Sequence, residues 1–272
     1  MYNLLISIAV GAAGFVLGWV VAGTVLAGIL PAILGIGVTY FILARRTGQQ
    51  LQALMEEAMA HFQALQNLPM PRSPAEAHRM QQLQKDKIAA AKATMEKGFA
   101  FSKWQFLIRE QIEGQLGAIE YMQMDWVAAR SRLEKAWGRN WQAMAMLSCI
   151  DHREKKHDAA LERLDGLRFH GKKDPMYWGL FAWLALKSGD RERALKLANE
   201  GAGINESSEA LKQMAAALAN KKPVRVDGFA PGWYQFWPEH SPQYQDAQKA
   251  ANKHGKAPNQ RRGGYSFPQP RR

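Results

Sequence analysis

The amino-acid sequence predicts an all-α protein in which an apolar helical hairpin is followed by a stack of short helices and a basic tail. The first observation is the charge: the 272 residues hold 36 Lys or Arg and 24 Asp or Glu, and none of these precedes Arg45. The second is a helical pattern, anchored by alanine, that recurs in the middle of the chain. The third is an excess of basic residues near the end. With 47% hydrophobic residues the chain can bury a core, which excludes disorder of the whole protein.

The charge-free N-terminus predicts two membrane spans. Residues 4–44 are almost continuously apolar or small. As a single helix they would reach roughly 60 Å, twice the hydrocarbon thickness of about 30 Å. We therefore expect transmembrane helices at 4–22 and 26–44. The turn between them is expected at Ala22-Gly23-Thr24 or, as an alternative, at Ala27-Gly28.

Small residues and a basic pair add detail to this transmembrane segment, residues 1–46. Gly14 and Gly18 are spaced so that the two helices can approach closely. Arg45 and Arg46 directly follow the second span, and because Lys and Arg are retained on the cytoplasmic side, they predict a cytoplasmic location for the rest of the chain. A cleaved signal peptide fits less well, since the positively charged n-region is missing. We expect an integral protein of a bacterial inner membrane.

Residues 47–98 are predicted to form a helical hairpin or linker. Apolar residues recur at helical spacing over 48–68, and the prolines of the PMPRSP stretch at 69–74 end that helix. A second helix is expected to run to Lys97, with Ser73 as its N-cap. Antiparallel pairing of these helices, dimerisation through them and packing against the downstream domain are all open.

Residues 99–222 predict a helical repeat domain. Three stretches share one pattern, in which a helix and a polar turn precede a second helix with a small residue near its start. They lie at 116–136, 147–167 and 181–201. The equivalent alanines, spaced 31 and 34 residues apart, are Ala129, Ala160 and Ala194. A period near 34 made of two helices is typical of an α-solenoid, and a terminal helix at 205–222 is expected to close the stack.

The three units can be compared with a known repeat. The third unit has a tryptophan, a Ser-Gly-Asp turn and small residues at characteristic positions, namely Trp178, Ser188-Gly189-Asp190, Ala194, Ala198 and Gly201. These residues resemble the tetratricopeptide repeat family. The resemblance covers residues 110–219 with a degenerate motif, and the second unit also lacks the motif's glycines. The resemblance implies a TPR-like α-solenoid whose concave face binds a peptide or helix of a protein partner. By that logic the first helices would contact the partner at Tyr121, Asp151 and Trp178.

The last region, residues 223–272, combines an aromatic cluster with a basic tail. Five aromatic residues crowd into positions 229–237, among them Trp233 and Trp237. Two explanations compete for this cluster: it folds back and covers the last repeat, or it binds a partner or a membrane interface. Residues 221–272 hold ten Lys or Arg and three acidic residues, a net charge of +7. From Gly255 onward the composition predicts disorder.

The sequence contains none of the common motifs for catalysis or cofactor binding. The sequence has no phosphate-binding glycine loop, no nucleophile elbow and no His-Glu-x-x-His, so we predict no catalytic residue, cofactor or metal. Cys149, His152 and His157 with Asp151 form the one conceivable metal set, but the histidines stand five residues apart. Surface histidines and a buried thiol are the simpler interpretation. A single cysteine also excludes an intramolecular disulfide, in keeping with a reducing compartment.

These observations predict a membrane-anchored cytoplasmic scaffold, or adaptor, that binds proteins and assembles a complex at the inner membrane. The alternative is a membrane-tethered regulator whose basic C-terminal tail binds anionic lipid or nucleic acid. Nucleic acid is disfavoured because the basic residues are dispersed and the anchor confines the protein to the membrane. A homo-oligomer is left open.

Overall fold

The structure is a computed structural model that describes residues 1–66, 74–242 and 244–245. All regular elements are helical and the described residues contain no β-strand, which confirms the all-α class. The helices are α1 (Tyr2–Ala22), α2 (Val25–Gln66), α3 (Pro74–Lys97), α4 (Ile108–Met122), α5 (Trp126–Leu133), α6 (Trp141–Arg153), α7 (His157–Asp165), α8 (Arg168–Gly171), α9 (Pro175–Lys187), α10 (Arg191–Ile204) and α11 (Glu209–Ala219). Short 3-10 turns cover Gly98–Lys103, Asp227–Phe229, Gly232–Gln235 and Pro238–His240.

The first two helices form the predicted apolar hairpin. Between them Gly23 adopts a left-handed φ of 68° and donates its N–H to the Trp19 carbonyl at 2.8 Å, which confirms the expected turn. α1 and the stretch Val25–His61 of α2 are long and apolar enough to span a membrane, with mean hydropathies of 2.4 and 2.2 over their most apolar 18-residue windows. Only 11% and 6% of the residues in their most apolar windows are buried, so neither is the core helix of a globular domain.

Glycines allow these two helices to pack closely. A Cβ atom on Gly18 would lie 2.6 Å from the Ala27 carbonyl oxygen, and one on Gly28 would lie 2.6 Å from the Phe15 carbonyl oxygen. Any side chain at these two positions would push the backbones apart. The spacing of Gly14 and Gly18 therefore correctly predicted the face of α1 that contacts α2.

The second helix is longer than the sequence analysis expected. A new helix was expected to begin at 48, after a boundary at 46/47, but α2 runs without a break from Val25 to Gln66. Thr47 and Gly48 are the weak helix formers at that boundary, and their combined cost of about 1–2 kcal/mol is too small to end a helix of 42 residues. The apolar hairpin and the domain that follows it therefore share one continuous helix.

The C-terminal half of α2 and the antiparallel helix α3 pack on the repeat region. Their side chains build a small hydrophobic cluster with α4, formed by Ala58, Met95, Ile108, Ile112 and Leu116. Two of the three alternatives for residues 47–98 are thus found together, the antiparallel hairpin and the packing against the downstream domain. The first five residues of the PMPRSP stretch, with the Ser73 cap, lie outside the described residues, and α3 begins at Pro74.

Three helix pairs follow, α4–α5, α6–α7 and α9–α10, and they match the three sequence units. Ala129, Ala160 and Ala194 are each the fourth residue of a second helix, and each is completely buried. An alanine at this position lets the paired helices cross closely, so its recurrence in the sequence correctly indicated the second helix of each pair. The second interval is longer because the connection that contains the four-residue helix α8 has two more residues than the connection between α5 and α6, and because α7 has one more residue than α5.

The turns inside the pairs share one geometry. After α4, Met124 has a φ of 61°, its N–H bonds to the Tyr121 carbonyl, and the next N–H bonds to the Glu120 carbonyl. This is a Schellman motif. The same two bonds and a left-handed residue recur after α6 at Lys155 and after α9 at Gly189.

The helix α11 ends in the same way, with a φ of 53° at Lys221 and an N–H of Lys222 bonded to the Ala217 carbonyl. Ser208 caps its start, and its apolar face is buried through Leu211, Met214, Ala215 and Leu218. By its closing turn α11 corresponds to the first helix of a fourth pair. Pro223 follows, and the regular elements within residues 224–240 are short 3-10 turns.

Candidate functional site

In place of a fourth second helix, the chain turns back across the first helices of the pairs. We call residues 224–240 the aromatic segment, and the side of α4, α6 and α9 that it contacts the covered face. The segment begins beside α11, where a Cβ on Gly228 would lie 3.0 Å from the Ala210 side chain. It then meets α9, where a Cβ on Gly179 would lie 2.6 Å from the Phe229 ring. The route therefore runs against the chain order of the first helices.

Tryptophan rings form the middle of this contact. Trp183 on α9 lies 5.6 Å from Trp233 and 4.7 Å from Trp237, measured between ring centroids. Trp233 is 1% exposed and Trp237 is 5% exposed, so both indoles belong to the hydrophobic core. The explanation in which the cluster folds back is confirmed, and the cover extends beyond the last repeat.

A polar contact fixes the far end of the segment. The Tyr121 hydroxyl on α4 donates a hydrogen bond of 2.6 Å to the Phe236 carbonyl oxygen. The Phe236 ring also lies 6.0 Å from Trp141 at the start of α6. Since Tyr121 is fully buried, this bond joins two groups that have no access to water.

An arginine stands at the centre of the covered face. The Arg153 guanidinium donates two hydrogen bonds to the Glu239 carboxylate, at 2.6 and 3.1 Å. It is also stacked between two indoles, at 4.3 Å from the ring centroids of Trp126 and Trp237. Bidentate and cation–π contacts both suit the planar guanidinium better than a lysine ammonium. Arg153 thus links α5, α6 and the aromatic segment.

Burial changes the proton affinities of the groups beneath the segment. It raises the pKa of the Cys149 thiol to about 12 and holds the pKa of Tyr121 well above its usual value. Burial, followed by the charges of His157 and Arg153, lowers the pKa of His152 to about 4. At neutral pH the covered face therefore carries a neutral thiol, a neutral phenol and a neutral imidazole around the charged pair Arg153–Glu239.

The structure brings together three of the five residues predicted to bind a partner. Tyr121, Trp233 and Trp237 meet at the contact between the covered face and the aromatic segment. Asp151 is 2% exposed and faces the second helices, where Arg130 and Arg163 bond its two carboxylate oxygens at 2.7 and 2.9 Å.

Trp178 also points away from this contact. It packs on Gly201 of α10, and its Nε1–H bonds to the Lys172 carbonyl at 2.9 Å. All five residues are buried, so the structure gives them a role inside the fold, and a direct contact between any of them and a partner stays a prediction.

Sequence reasoning missed Arg153, Glu239 and Trp183, which make the central contacts of this site. It also passed over Gly179, a glycine inside the helical unit of α9. An isolated glycine in a helix is a signal of close approach by another part of the chain, and here that part is the Phe229 ring.

No arrangement typical of metal binding is found in the part of the chain that the structure describes, where no three His, Cys, Asp or Glu side chains come together. His152 and His157 do lie close, with 3.0 Å between their Nδ1 atoms, but the Asp151 carboxylate is held by two arginines. Most of the basic tail lies outside the described residues, and its predicted disorder and binding to anionic lipid or nucleic acid stay predictions.

Comparisons with known proteins add no relative to this picture. No family model, no curated protein and no solved structure matches the chain.

Proposed function

We propose that this protein is a membrane-anchored scaffold that docks a protein partner on the covered face of a tetratricopeptide-like helical array. One observation carries the proposal: the first helices already hold a linear aromatic segment, contributed by the chain itself. A face that accommodates such a segment in cis offers the same contacts to a similar segment of another protein. The function is therefore one of binding, with no chemical step.

The contacts of the aromatic segment describe the partner. Phe229, Trp233, Phe236 and Trp237 supply four rings within nine positions, and an acid follows at Glu239. On the first helices, these groups are contacted by Trp141, Trp183 and the Arg153 guanidinium. A competing ligand is then a linear segment with closely spaced aromatic residues followed by a carboxylate. The chain's own segment acts as its intramolecular competitor and lowers the apparent affinity.

The apolar hairpin determines where docking takes place. We infer that α1 and the apolar part of α2 insert in a bilayer, with Arg45 and Arg46 retaining the helical array in the cytoplasm of a bacterium. Because α2 continues directly into the folded domain, the array stands at a fixed distance from the membrane surface. Such a rigid connection suits a scaffold that assembles a complex at the inner membrane.

Site-specific photocrosslinking in intact membranes tests this function. A photoreactive residue replaces Trp141 on the covered face, in the full-length chain and in a Glu239→Gln variant that weakens the segment. The control site is Val127 on α5, which is 84% exposed and belongs to a second helix. We expect one recurring protein adduct from position 141, with a higher yield in the variant, and no such adduct from position 127. Equal adducts at both positions, or none in either protein, would overturn the proposal.

A further inference from the structure

A cavity of about 330 Å³ lies where the apolar hairpin meets the folded domain. Asn3, Arg46 and Thr47 supply polar walls, while Leu43, Phe101 and Trp104 supply apolar ones. In the hairpin, Asn3 is at the start of α1 and Arg46 follows the apolar stretch of α2. The cavity therefore sits at the level of the hairpin where the charge-free sequence ends.

Direct contacts hold the walls of this cavity in place. The Asn3 amide donates a hydrogen bond of 3.1 Å to the Thr47 hydroxyl, which in turn donates one of 2.9 Å to the Leu43 carbonyl. Asn3 is 1% exposed and Thr47 is 7% exposed, so these polar groups close the open end of the hairpin. Polar side chains buried between apolar helices join the helices specifically.

The wall from the folded domain is aromatic. The Trp104 indole lies 5.3 Å from the Tyr2 ring in an edge-on arrangement, and the Trp104 carbonyl accepts a hydrogen bond from the Asn3 backbone N–H. Both rings stay partly accessible, Trp104 at 41% and Tyr2 at 48%. Tryptophan and tyrosine with one dry and one wet side are typical of the headgroup level of a bilayer.

The charge of the cavity is positive and uncompensated. No acidic residue lines it, and Arg46 forms no ion pair with any residue that the structure describes. An exposed guanidinium next to neutral amide and hydroxyl groups is suited to a phosphate, which it can bind through two parallel hydrogen bonds.

From this geometry we propose that the cavity binds the headgroup of an anionic phospholipid. The Arg46 guanidinium holds the phosphate, Asn3 and Thr47 line the polar headgroup, and the acyl chains follow Leu43 along α2. The inference rests on the proposed membrane insertion of the hairpin. A free phosphate shares the headgroup chemistry, but it would leave the apolar walls at Leu43, Phe101 and Trp104 without an occupant.

Native mass spectrometry of the full-length protein, released from nanodiscs, tests the site. The nanodiscs contain equal amounts of phosphatidylglycerol and phosphatidylcholine, and the readout is the lipid that stays bound. We expect one phosphatidylglycerol on the wild type. We expect Arg46→Gln to lower its retention about fivefold, whereas Arg45→Gln, which changes a neighbouring arginine outside the cavity wall, retains it. Equal retention by the two variants, or no preference for phosphatidylglycerol, would overturn the proposal.

Two further measurements separate the remaining explanations. In neutral detergent, inorganic phosphate and glycerol 3-phosphate are titrated against bound phosphatidylglycerol. No displacement at millimolar concentration is expected, and displacement would overturn the lipid assignment in favour of a soluble phosphate.

Extraction of membranes with alkaline carbonate tests the hairpin itself. Extraction of the protein into the supernatant would contradict membrane insertion. If the protein stays in the pellet but its retention of phosphatidylglycerol does not depend on Arg46, the headgroup site alone is contradicted.

Discussion

Arg153 and Glu239 join α6 to the aromatic segment through two hydrogen bonds of 2.6 and 3.1 Å, across 86 positions of sequence. Their side chains are 22% and 26% exposed, so the pair is only partly screened by water. The Arg153 guanidinium also stacks on the Trp237 ring. Loss of the carboxylate would therefore free both the end of the segment and the indole that covers His152.

The first prediction removes the charge of this pair. Glu239→Gln replaces a bidentate, charge-assisted contact with a neutral one, and we expect the free energy of unfolding of the helical domain to fall by about 1–2 kcal/mol. Limited proteolysis should then cut within the aromatic segment first. The measurements are chemical denaturation of the full-length protein in detergent and mass mapping of the earliest fragments.

Glu209→Gln is the matched control for this experiment. Glu209 pairs with Lys212 at 3.0 Å, but these side chains are 72% and 50% exposed. We expect a change below about 0.5 kcal/mol, because exposed ion pairs contribute little. An equal loss in the two variants would show that the Arg153 contact does not hold the segment.

The second prediction inserts a side chain under Phe229. In Gly179→Leu the new side chain must occupy space that the Phe229 ring fills, since even its Cβ would lie 2.6 Å away. We expect the aromatic segment to be displaced at its first contact, with a loss of about 1–3 kcal/mol in the free energy of unfolding.

Gly203→Leu provides the comparison, since it makes the same substitution inside α10 where a Cβ would meet no atom within 4 Å. There the gain in helix propensity should leave stability unchanged or raise it by up to about 1 kcal/mol. Both variants are compared by denaturation and proteolysis. If the two variants have the same free energy of unfolding and the same proteolysis of the aromatic segment, Phe229 does not pack closely on α9.

Local signals were sufficient to predict much of the fold from sequence. The turn at Gly23 and the alanines at 129, 160 and 194 were recognisable because a left-handed turn and a close helix crossing each demand a small residue. The length of α2 was not predictable in the same way. The change from apolar to charged composition at Arg45 suggested a boundary, but the residues there are too weak as helix breakers to end the helix.

The candidate site lay further beyond sequence reasoning. Aromatic clustering pointed to Trp233 and Trp237 but not to the helices that receive them. The partners Arg153 and Trp183 are distant in sequence, and both look like ordinary helix residues until the segment is placed against them. With one sequence, such a pairing has no local signature other than the isolated glycine at 179.

The third prediction uses the cysteine as a reporter of the segment. Cys149 is fully buried, and burial raises the pKa of its thiol to about 12. Since the thiolate is the reactive form, alkylation at pH 8 should be very slow in the folded wild type. Opening of the segment over Tyr121 exposes this thiol, so we expect faster alkylation in Glu239→Gln than in Glu209→Gln. The rate is followed by intact mass, and equal rates would contradict coupling between the segment and α6.

The fourth prediction concerns acid. Burial, and then the charges of His157, Arg153 and Lys187, lowers the pKa of His152 from 6.5 to about 4. Between pH 6.5 and about pH 4, His152 is protonated in the unfolded chain but stays neutral in the folded domain. The stabilisation by the neutral ring is therefore complete above pH 6.5 and is lost as the pH falls toward 4. Because the ring lies 6.3 Å from Trp237, the loss should act on the aromatic segment.

Proteolysis of the aromatic segment and tryptophan fluorescence, recorded from pH 7 to pH 4, measure this effect. Carboxylates also titrate in that interval, so the informative quantity is the difference between the wild type and His152→Gln, whose side chain stays neutral. We expect the wild type to release the segment on acidification and the variant to show a smaller change over the same interval. Parallel profiles would mean that His152 does not couple protonation to the covered face, even though its ring contacts Trp237.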